Sequence, residues 1–133
     1  MSTLASLTDQ TGSPGTDNAY TVTITDTSVA ASALNTLAGK TSVAVTGSAI
    51  TTLTGAISDV NTAYANTSGI TGLGNEAVTI SDTTNSGNGV AIAELNSLDD
   101  NNTTGTVDAG TITVATGTLA NLLTAYGLSL IHI

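Results

Sequence analysis

Two stretches of the chain occur twice, and this internal repetition restricts the fold more than any other feature of the sequence. Residues 49–64 (AITTLTGAISDVNTAY) return as residues 111–126 (TITVATGTLANLLTAY), and residues 20–37 return as residues 76–98 with a short insertion. The strand-like beginnings of these four copies lie 28, 28 and 34 residues apart, at Val22, Ile50, Val78 and Ile112. A period of about 20 to 50 residues is typical of solenoids, in which each copy buries its apolar face against the next.

Each copy has the pattern of a strand followed by a short helix. Residues 21–26 (TVTITD) alternate apolar and polar side chains, as a half-buried strand does. The apolar residues that follow recur at helical spacing before Gly39, and they are Val29, Ala33, Leu34 and Leu37. Parallel strands joined by helical crossovers are right-handed. The sequence therefore predicts an α/β solenoid of stacked right-handed repeats of about 28 residues.

In this predicted solenoid, four apolar side chains occupy equivalent positions on adjacent parallel rungs, namely Val22, Ile50, Val78 and Ile112. The alternative is an all-β parallel β-helix in which the helical stretches are extended corners. Ala-rich segments with Leu at helical spacing favour the helices.

The alternation divides the chain into four repeats and two ends. The repeats, named A1, B1, A2 and B2, cover residues 19–48, 49–75, 76–110 and 111–127, and residues 1–18 are predicted to be part of a preceding repeat. Residues 128–133 (LSLIHI) match the translation of a transposon sequencing adapter. We interpret the chain as a metagenomic fragment with a foreign tail, so that His132, its one histidine, does not belong to the natural protein.

Charge and composition argue against several classes of function. The formal net charge is −9 and Lys40 is the single basic residue apart from the histidine, whereas nucleic-acid binding needs a Lys/Arg surface. No apolar run is long enough to span a bilayer. Because the chain also has no cysteine and no arginine, it lacks the usual nucleophile–base pairs and imidazole metal ligands. We predict a protein without nucleic-acid binding, membrane insertion, catalysis or cofactor, calcium excepted.

Three polar residues stand where helix caps are expected. Asp26 and Asp82 occupy matching positions before two predicted helices, and Thr118 directly precedes the last one. A side-chain oxygen there usually accepts a hydrogen bond from a free backbone N–H. We predict that all three are caps. A ladder of cation ligands is the alternative for the two aspartates.

Two sets of oxygen-bearing side chains are candidates for binding. Calcium takes about six to eight oxygen ligands, and the densest cluster that could supply them contains Asp99, Asp100, Asn102 and Asp108. A solvated polar loop is the simpler interpretation of that cluster. Threonine pairs two residues apart would form hydroxyl rows suited to ice or flat carbohydrate, at positions 23 and 25, 52 and 54, and 111 and 113. The β propensity of threonine explains these pairs equally well.

The repeats contain several recurrent motifs, namely VTISDT, ALNTL, ELNSL, TVDAG and ITGLGNEAV. They resemble the repeats of very large bacterial surface or exported proteins, including marine cyanobacterial ones, over residues 4–127. The resemblance implies an extracellular or cell-surface location and a structural or adhesive role. Its expected partners are neighbouring repeats, surface polysaccharide, or further copies contacted through the solenoid ends. The alternative is a solenoid that binds Ca²⁺, carbohydrate or ice through its threonine face or its Asp/Asn loops.

Overall fold

A computed structural model of the chain describes residues 19–83 and 89–127, together with the backbone of residues 131–132. The helices in this part are α1 (Ala31–Ala38), α2 (Ile57–Ala65), α3 (Ile92–Asn101) and α4 (Leu119–Gly127). The strands are β1 (Ser28–Ala30), β2 (Val45–Thr46), β3 (Thr52–Gly55), β4 (Ile70–Thr71), β5 (Ala77–Ile80), β6 (Val90–Ala91), β7 (Val107–Asp108), β8 (Ala115–Thr116) and β9 (Ile131–His132). The fold is mixed α/β with parallel sheets, as predicted, and the all-β alternative is wrong. The predicted repeat at residues 1–18 lies outside the described residues.

Five strands form one sheet, which we call the main sheet, in the order β1-β3-β5-β7-β9. Every neighbouring pair in it is parallel. The register aligns four buried side chains in a row, those of Val29, Leu53, Val78 and Val107. Consecutive main-sheet strands are therefore neighbours in space, and each is joined to the next by a segment that contains one helix.

The predicted rung residues are wrong except for Val78. The residues that do align are 24, 25 and 29 positions apart along the chain, where the sequence predicted 28, 28 and 34. Val22 lies next to Thr23, which bridges to Thr46 of β2 and takes no part in the main sheet. Strands of two to four residues carry little alternation, so tertiary pairing decides their register more than the local pattern does.

Two further pairs of strands, β2 with β4 and β6 with β8, form separate parallel sheets. β2 and β4 follow α1 and α2 in the chain, whereas β6 and β8 precede α3 and α4. Residues 106–110 of repeat A2 consequently contain β7 of the main sheet, and the strand-like beginning of repeat B2 ends in β8 of a small sheet. The strand-like beginning of repeat A1 likewise pairs with a small sheet, through Thr23 and Thr46 of β2.

The helices pack in the order α1-α2-α3-α4, and the first three bury an apolar stripe. Leu34, Val60 and Leu95 are fully buried within one aliphatic core that also contains the strand residues. In residues 19–83 and 89–127, no helix is long and apolar enough to cross a membrane. α3 continues to Asn101, so Asp99 and Asp100 form its last turn where a polar loop was predicted. The burial of Leu95 and Leu98 outweighs the weak helix propensity of Asp and Asn, about 0.7 kcal/mol per residue.

Candidate functional site

Three asparagines, which we call the asparagine row, join successive helices. Their Nδ2 groups donate to backbone oxygens of the next helix, with Asn35 reaching Asp59 at 2.9 Å, Asn61 reaching Glu94 at 3.1 Å, and Asn96 reaching Asn121 at 3.1 Å. A carbonyl inside a helix keeps a second lone pair that can accept such a bond. The Oδ1 atoms of the row are buried and find no partner among the described residues. The row therefore links four helices through neutral groups.

The sequence-based predictions did not include this row, although the sequence contains a signal for it. The three asparagines stand at equivalent helix positions in the triplets LNT, VNT and LNS. Asparagine has poor helix propensity, so its recurrence inside three helices indicates a tertiary role. At the matching position of α4 the residue is Leu123.

Threonine hydroxyls make a second set of bonds, each directed to a backbone oxygen earlier in the chain. The donors and acceptors are Thr41 to Tyr20 (2.7 Å), Thr51 to Thr27 (3.2 Å), Thr71 to Val45 (3.4 Å), Thr103 to Gly74 (3.1 Å), Thr111 to Ile80 (2.9 Å) and to Asp82 (2.8 Å), and Thr113 to Thr83 (3.2 Å). These partners are 21 to 31 residues apart. Many threonines of this chain thus tie one strand–helix segment to the preceding one.

The predicted threonine rows form only in part. Thr52 and Thr54 lie on β3, and Thr54 is the register partner of Thr79. Thr23 and Thr46 are partners in the other strand set, where Thr71 follows. Thr111 and Thr113 lie outside the strands and bind backbone oxygens. The hydroxyls therefore do not repeat as one regular array on the main sheet.

The three predicted caps have three different outcomes. Thr118 is confirmed, because its Oγ1 accepts the N–H of Asn121 at 3.3 Å at the start of α4. Asp82 is a cap, but of a different helix, since its Oδ2 accepts the N–H of Ile57 at 2.7 Å at the start of α2. Asp26 does not cap the helix that follows it. β1 separates it from α1, which begins after Ala30 without a side-chain cap.

A buried polar cluster lies between α2, α3 and β5. The Oε2 atom of Glu76 accepts the hydroxyl of Tyr64 at 2.7 Å and the N–H groups of Gly74 and Asn75 at 2.9 and 3.1 Å. The side chain of Asn102 donates to the Glu76 carbonyl at 2.9 Å. Glu76 and Asn102 are fully buried. Burial raises the pKa of Tyr64 well above its usual range, and the hydrogen bond to Glu76 and the charge of Glu76 raise it further.

The four candidate calcium ligands have separate surroundings. Asp99 and Asp100 lie in the last turn of α3, and burial together with the charge of Asp100 raises the pKa of Asp99. The side-chain amide of Asn102 donates to the Glu76 carbonyl, and Asp108 on β7 accepts the N–H of Gly110 at 3.0 Å. In the part of the chain that the structure describes, no three His, Cys, Asp or Glu side chains are grouped so that they could hold a metal ion. Calcium binding at these residues stays the alternative to the predicted solvated loop, and the structure does not test it.

Two shallow grooves lie near the carboxyl ends of successive helices. One, of about 390 Å³, is lined by Asn35 and Gly39 near the end of α1 and by Asn66 after α2. The other, of about 330 Å³, is lined by Tyr64 and Thr67 near the end of α2 and by Asn101 of α3, among others. Hydroxyl, amide and apolar groups line both grooves, and no carboxylate or ammonium group is among the lining residues. Such linings suit neutral ligands.

Within the described residues, an exposed apolar surface lies along α4. Leu119, Leu123 and Tyr126 form a stripe along α4, which we call the α4 stripe, and they are 73%, 65% and 79% exposed. The spacing of these residues, four and then three, places them on one helix face. In α2, the residues at the first and last of these positions are Ile57 and Tyr64, which are 3% and 7% exposed.

No protein family, curated protein or solved structure matches this chain. The side chains that the structure brings together are mainly neutral hydrogen-bonding groups, and Glu76, whose Oε2 atom accepts three hydrogen bonds, is fully buried.

Proposed function

We propose that this chain is a segment of a right-handed α/β solenoid and acts as a non-enzymatic structural or adhesive part of a large extracellular or cell-surface bacterial protein. The main support is the order β1-β3-β5-β7 within the main sheet, in which strands joined by one helix each are parallel neighbours. A chain that winds continuously in one direction produces that order, and right-handed winding is the rule for parallel crossovers. An experimental structure with left-handed crossovers would overturn this part of the proposal.

The use of the polar side chains supports a structural role. The asparagine row and the threonine hydroxyls bind backbone oxygens of adjacent segments. Catalysis needs polar groups that face a substrate, whereas these groups face the protein. A chain whose polar side chains mainly join one segment to the next is suited to holding its shape over a distance.

The extracellular location is proposed from the motif resemblance over residues 4–127. Antibodies raised against this chain should label intact cells of the organism that carries it. Labelling that appears only after the cells are permeabilised would contradict the location and leave the structural role standing.

Calorimetry with and without calcium separates the structural role from a calcium-dependent one. A site filled at a hundred times its dissociation constant stabilises a fold by about 2.7 kcal/mol, which raises the melting temperature by several degrees. We expect equal melting temperatures in millimolar Ca²⁺, in Mg²⁺ and in chelator. A rise with Ca²⁺ alone that is absent in Asp99→Asn or Asp108→Asn would establish the calcium-binding alternative.

Binding of neutral carbohydrate is the second candidate function, and the two grooves favour it. Their amide and hydroxyl groups could donate to and accept from sugar hydroxyls. Glycan arrays and pull-down on insoluble polysaccharide test this candidate directly. Binding that disappears when a groove is filled by Ser68→Trp or Thr67→Trp, and that remains in Thr62→Trp on the exposed side of α2, would favour it over a purely structural role.

A further inference from the structure

We propose that the α4 stripe binds the α1 side of a second copy of this chain, so that copies stack head to tail. The inference rests on the proposed solenoid and names the two surfaces through which it would self-associate. Leu119, Leu123 and Tyr126 supply one surface, and the α1 side around Ala33 supplies the other.

Binding through the α4 stripe would continue a series of three helix–helix contacts that the structure already contains. α1 packs on α2, α2 on α3, and α3 on α4. In each contact, the fifth residue of the earlier helix is an asparagine that forms a hydrogen bond to the later helix. The fifth residue of α4 is Leu123. The stripe is therefore the surface on which a fifth helix of this series would pack. Exposed apolar surface of this kind commonly marks an interaction site.

Both end surfaces also have apolar side chains at the positions where the inner contacts have polar ones. Inside the series, an asparagine donates to the backbone carbonyl of Asp59, Glu94 or Asn121. At the outer end of α4 the asparagine is replaced by Leu123, and in α1 the receiving position is the half-buried Ala33. Contact between Leu123 and Ala33 would be apolar on both sides. It would leave no buried amide or carboxylate without a partner, which would otherwise destabilise the contact.

The edge of the main sheet supports the same arrangement. β1 is the first strand in the order of the main sheet, so one of its edges has no strand partner among the described residues. Such an edge presents free N–H and C=O groups that pair readily with another strand. A copy stacked through α1 would bring its β1 to the far end of the main sheet of its neighbour.

The two surfaces differ, so the contact is heterologous and produces open chains of copies rather than a closed dimer. Light scattering and sedimentation of the 133-residue chain should show an average mass that rises with concentration without reaching a limit at two copies.

Leu123→Glu and Ala33→Lys should each abolish the rise in mass. An equimolar mixture of the two variants should restore it, because the unchanged Leu123 surface of one variant binds the unchanged Ala33 surface of the other, and the new glutamate meets the new lysine at the alternate junctions. Val43→Glu, at an exposed apolar residue outside α1 and α4, is the matched control and should behave as the wild type.

Circular dichroism must show equal helix content and melting for all variants, and the restored association of the mixture would itself prove that both variants fold. A mass that stops at two copies, with Ala33→Lys unaffected, would indicate pairing between two α4 stripes and overturn the proposal. A wild-type chain that stays monomeric at every concentration would also overturn it. The proposed structural role would survive that result if the chain still melts identically with and without Ca²⁺.

Discussion

Asn61 shows how a single neutral side chain holds two helices together. It lies on α2, keeps its Oδ1 buried and donates Nδ2–H to the Glu94 carbonyl of α3. A buried hydrogen bond of this kind contributes a net stability of about 0.5–1.5 kcal/mol. Asn35 and Asn96 make the equivalent bonds on either side. The stability of the contact between helices therefore depends on a few amide groups in addition to aliphatic burial.

We expect Asn61→Ala to lower the free energy of unfolding by about 0.5–1.5 kcal/mol, because the lost bond and the small cavity outweigh the higher helix propensity of alanine. Thr62→Ala is the control on the same helix. Thr62 is exposed and bonds only to Ser58 within α2, and alanine has the higher helix propensity, so its stability should be unchanged or slightly higher. Urea denaturation measures both. Equal losses in the two variants would mean that the asparagine bond between helices contributes nothing specific.

Tyr64 and Glu76 make stability depend on pH in the alkaline range. The pKa of Tyr64 is higher in the folded chain than in the unfolded chain, where it is about 10. The folded state therefore holds this proton more tightly, and its stability falls as the pH rises above about 10. Tyr64→Phe should remove that fall and, by leaving Glu76 with one donor fewer, should destabilise the fold at neutral pH by about 1–3 kcal/mol.

Denaturation curves between neutral and strongly alkaline pH test both statements at once. Lys40 and the remaining tyrosines are common to the two proteins, so the difference between their curves isolates Tyr64. Parallel curves for wild type and Tyr64→Phe would contradict the assignment.

At the scale of the elements, the start of α2 is stabilised by a residue from a later strand segment. Asp82 follows β5 and accepts the N–H of Ile57, the first residue of α2, while the N-cap position itself is Ala56. A carboxylate at a helix start also interacts favourably with the helix dipole. The packing of α2 is therefore coupled to the segment that follows β5.

Asp82→Ala should lower the free energy of unfolding by about 1 kcal/mol. Asp82→Asn should lose less, because an amide oxygen still accepts the bond. Asp26→Ala is the matched control, since Asp26 is exposed and separated from α1 by β1, and it should change stability by less than about 0.5 kcal/mol. If the control loses as much as Asp82→Ala, the loss does not arise specifically from the cap of α2, and the assignment is contradicted.

The elements were predictable where helical spacing of apolar residues was strong. The stripes through Leu34, Val60 and Leu95 indicated three helices that the structure contains. Strand positions were less predictable because strands of two residues have no measurable period. Thr21 to Asp26 looks like β5 in sequence, but the chain places Thr23 opposite Thr46 and gives the main-sheet position to Val29.

The candidate site was predictable only at Thr118, where donor and acceptor are three residues apart. The bonds of Asp82 and of the asparagine row join residues 24 to 33 positions apart. Local sequence rules do not reach such pairs, because the partner is set by which segments become neighbours. The burial of Glu76 likewise depends on Tyr64 and two backbone N–H groups, which no local pattern in the sequence indicates.

At the scale of the whole molecule, stability should be highest in the middle of the main sheet. β3 and β5 have a strand on each side, whereas β1 has one at the edge of the described sheet. In a linear stack each unit gains stability from its neighbours. Native-state amide exchange should therefore protect Leu53 and Val78 more than Val29, although all three side chains are buried. Uniform protection of the three amides would indicate a single cooperative core without dominant nearest-neighbour contacts.

The neutrality of the asparagine and threonine bonds has a consequence for the medium in which this chain can work. Dissolved ions screen attractions between opposite charges, but they have little to screen in a bond between an amide or hydroxyl and a carbonyl. The acidic side chains, which outnumber the basic ones and give the charge of −9, repel one another less as salt is added. The fold should consequently be stable at both low and high salt concentrations, and its free energy of unfolding should be slightly greater at high salt.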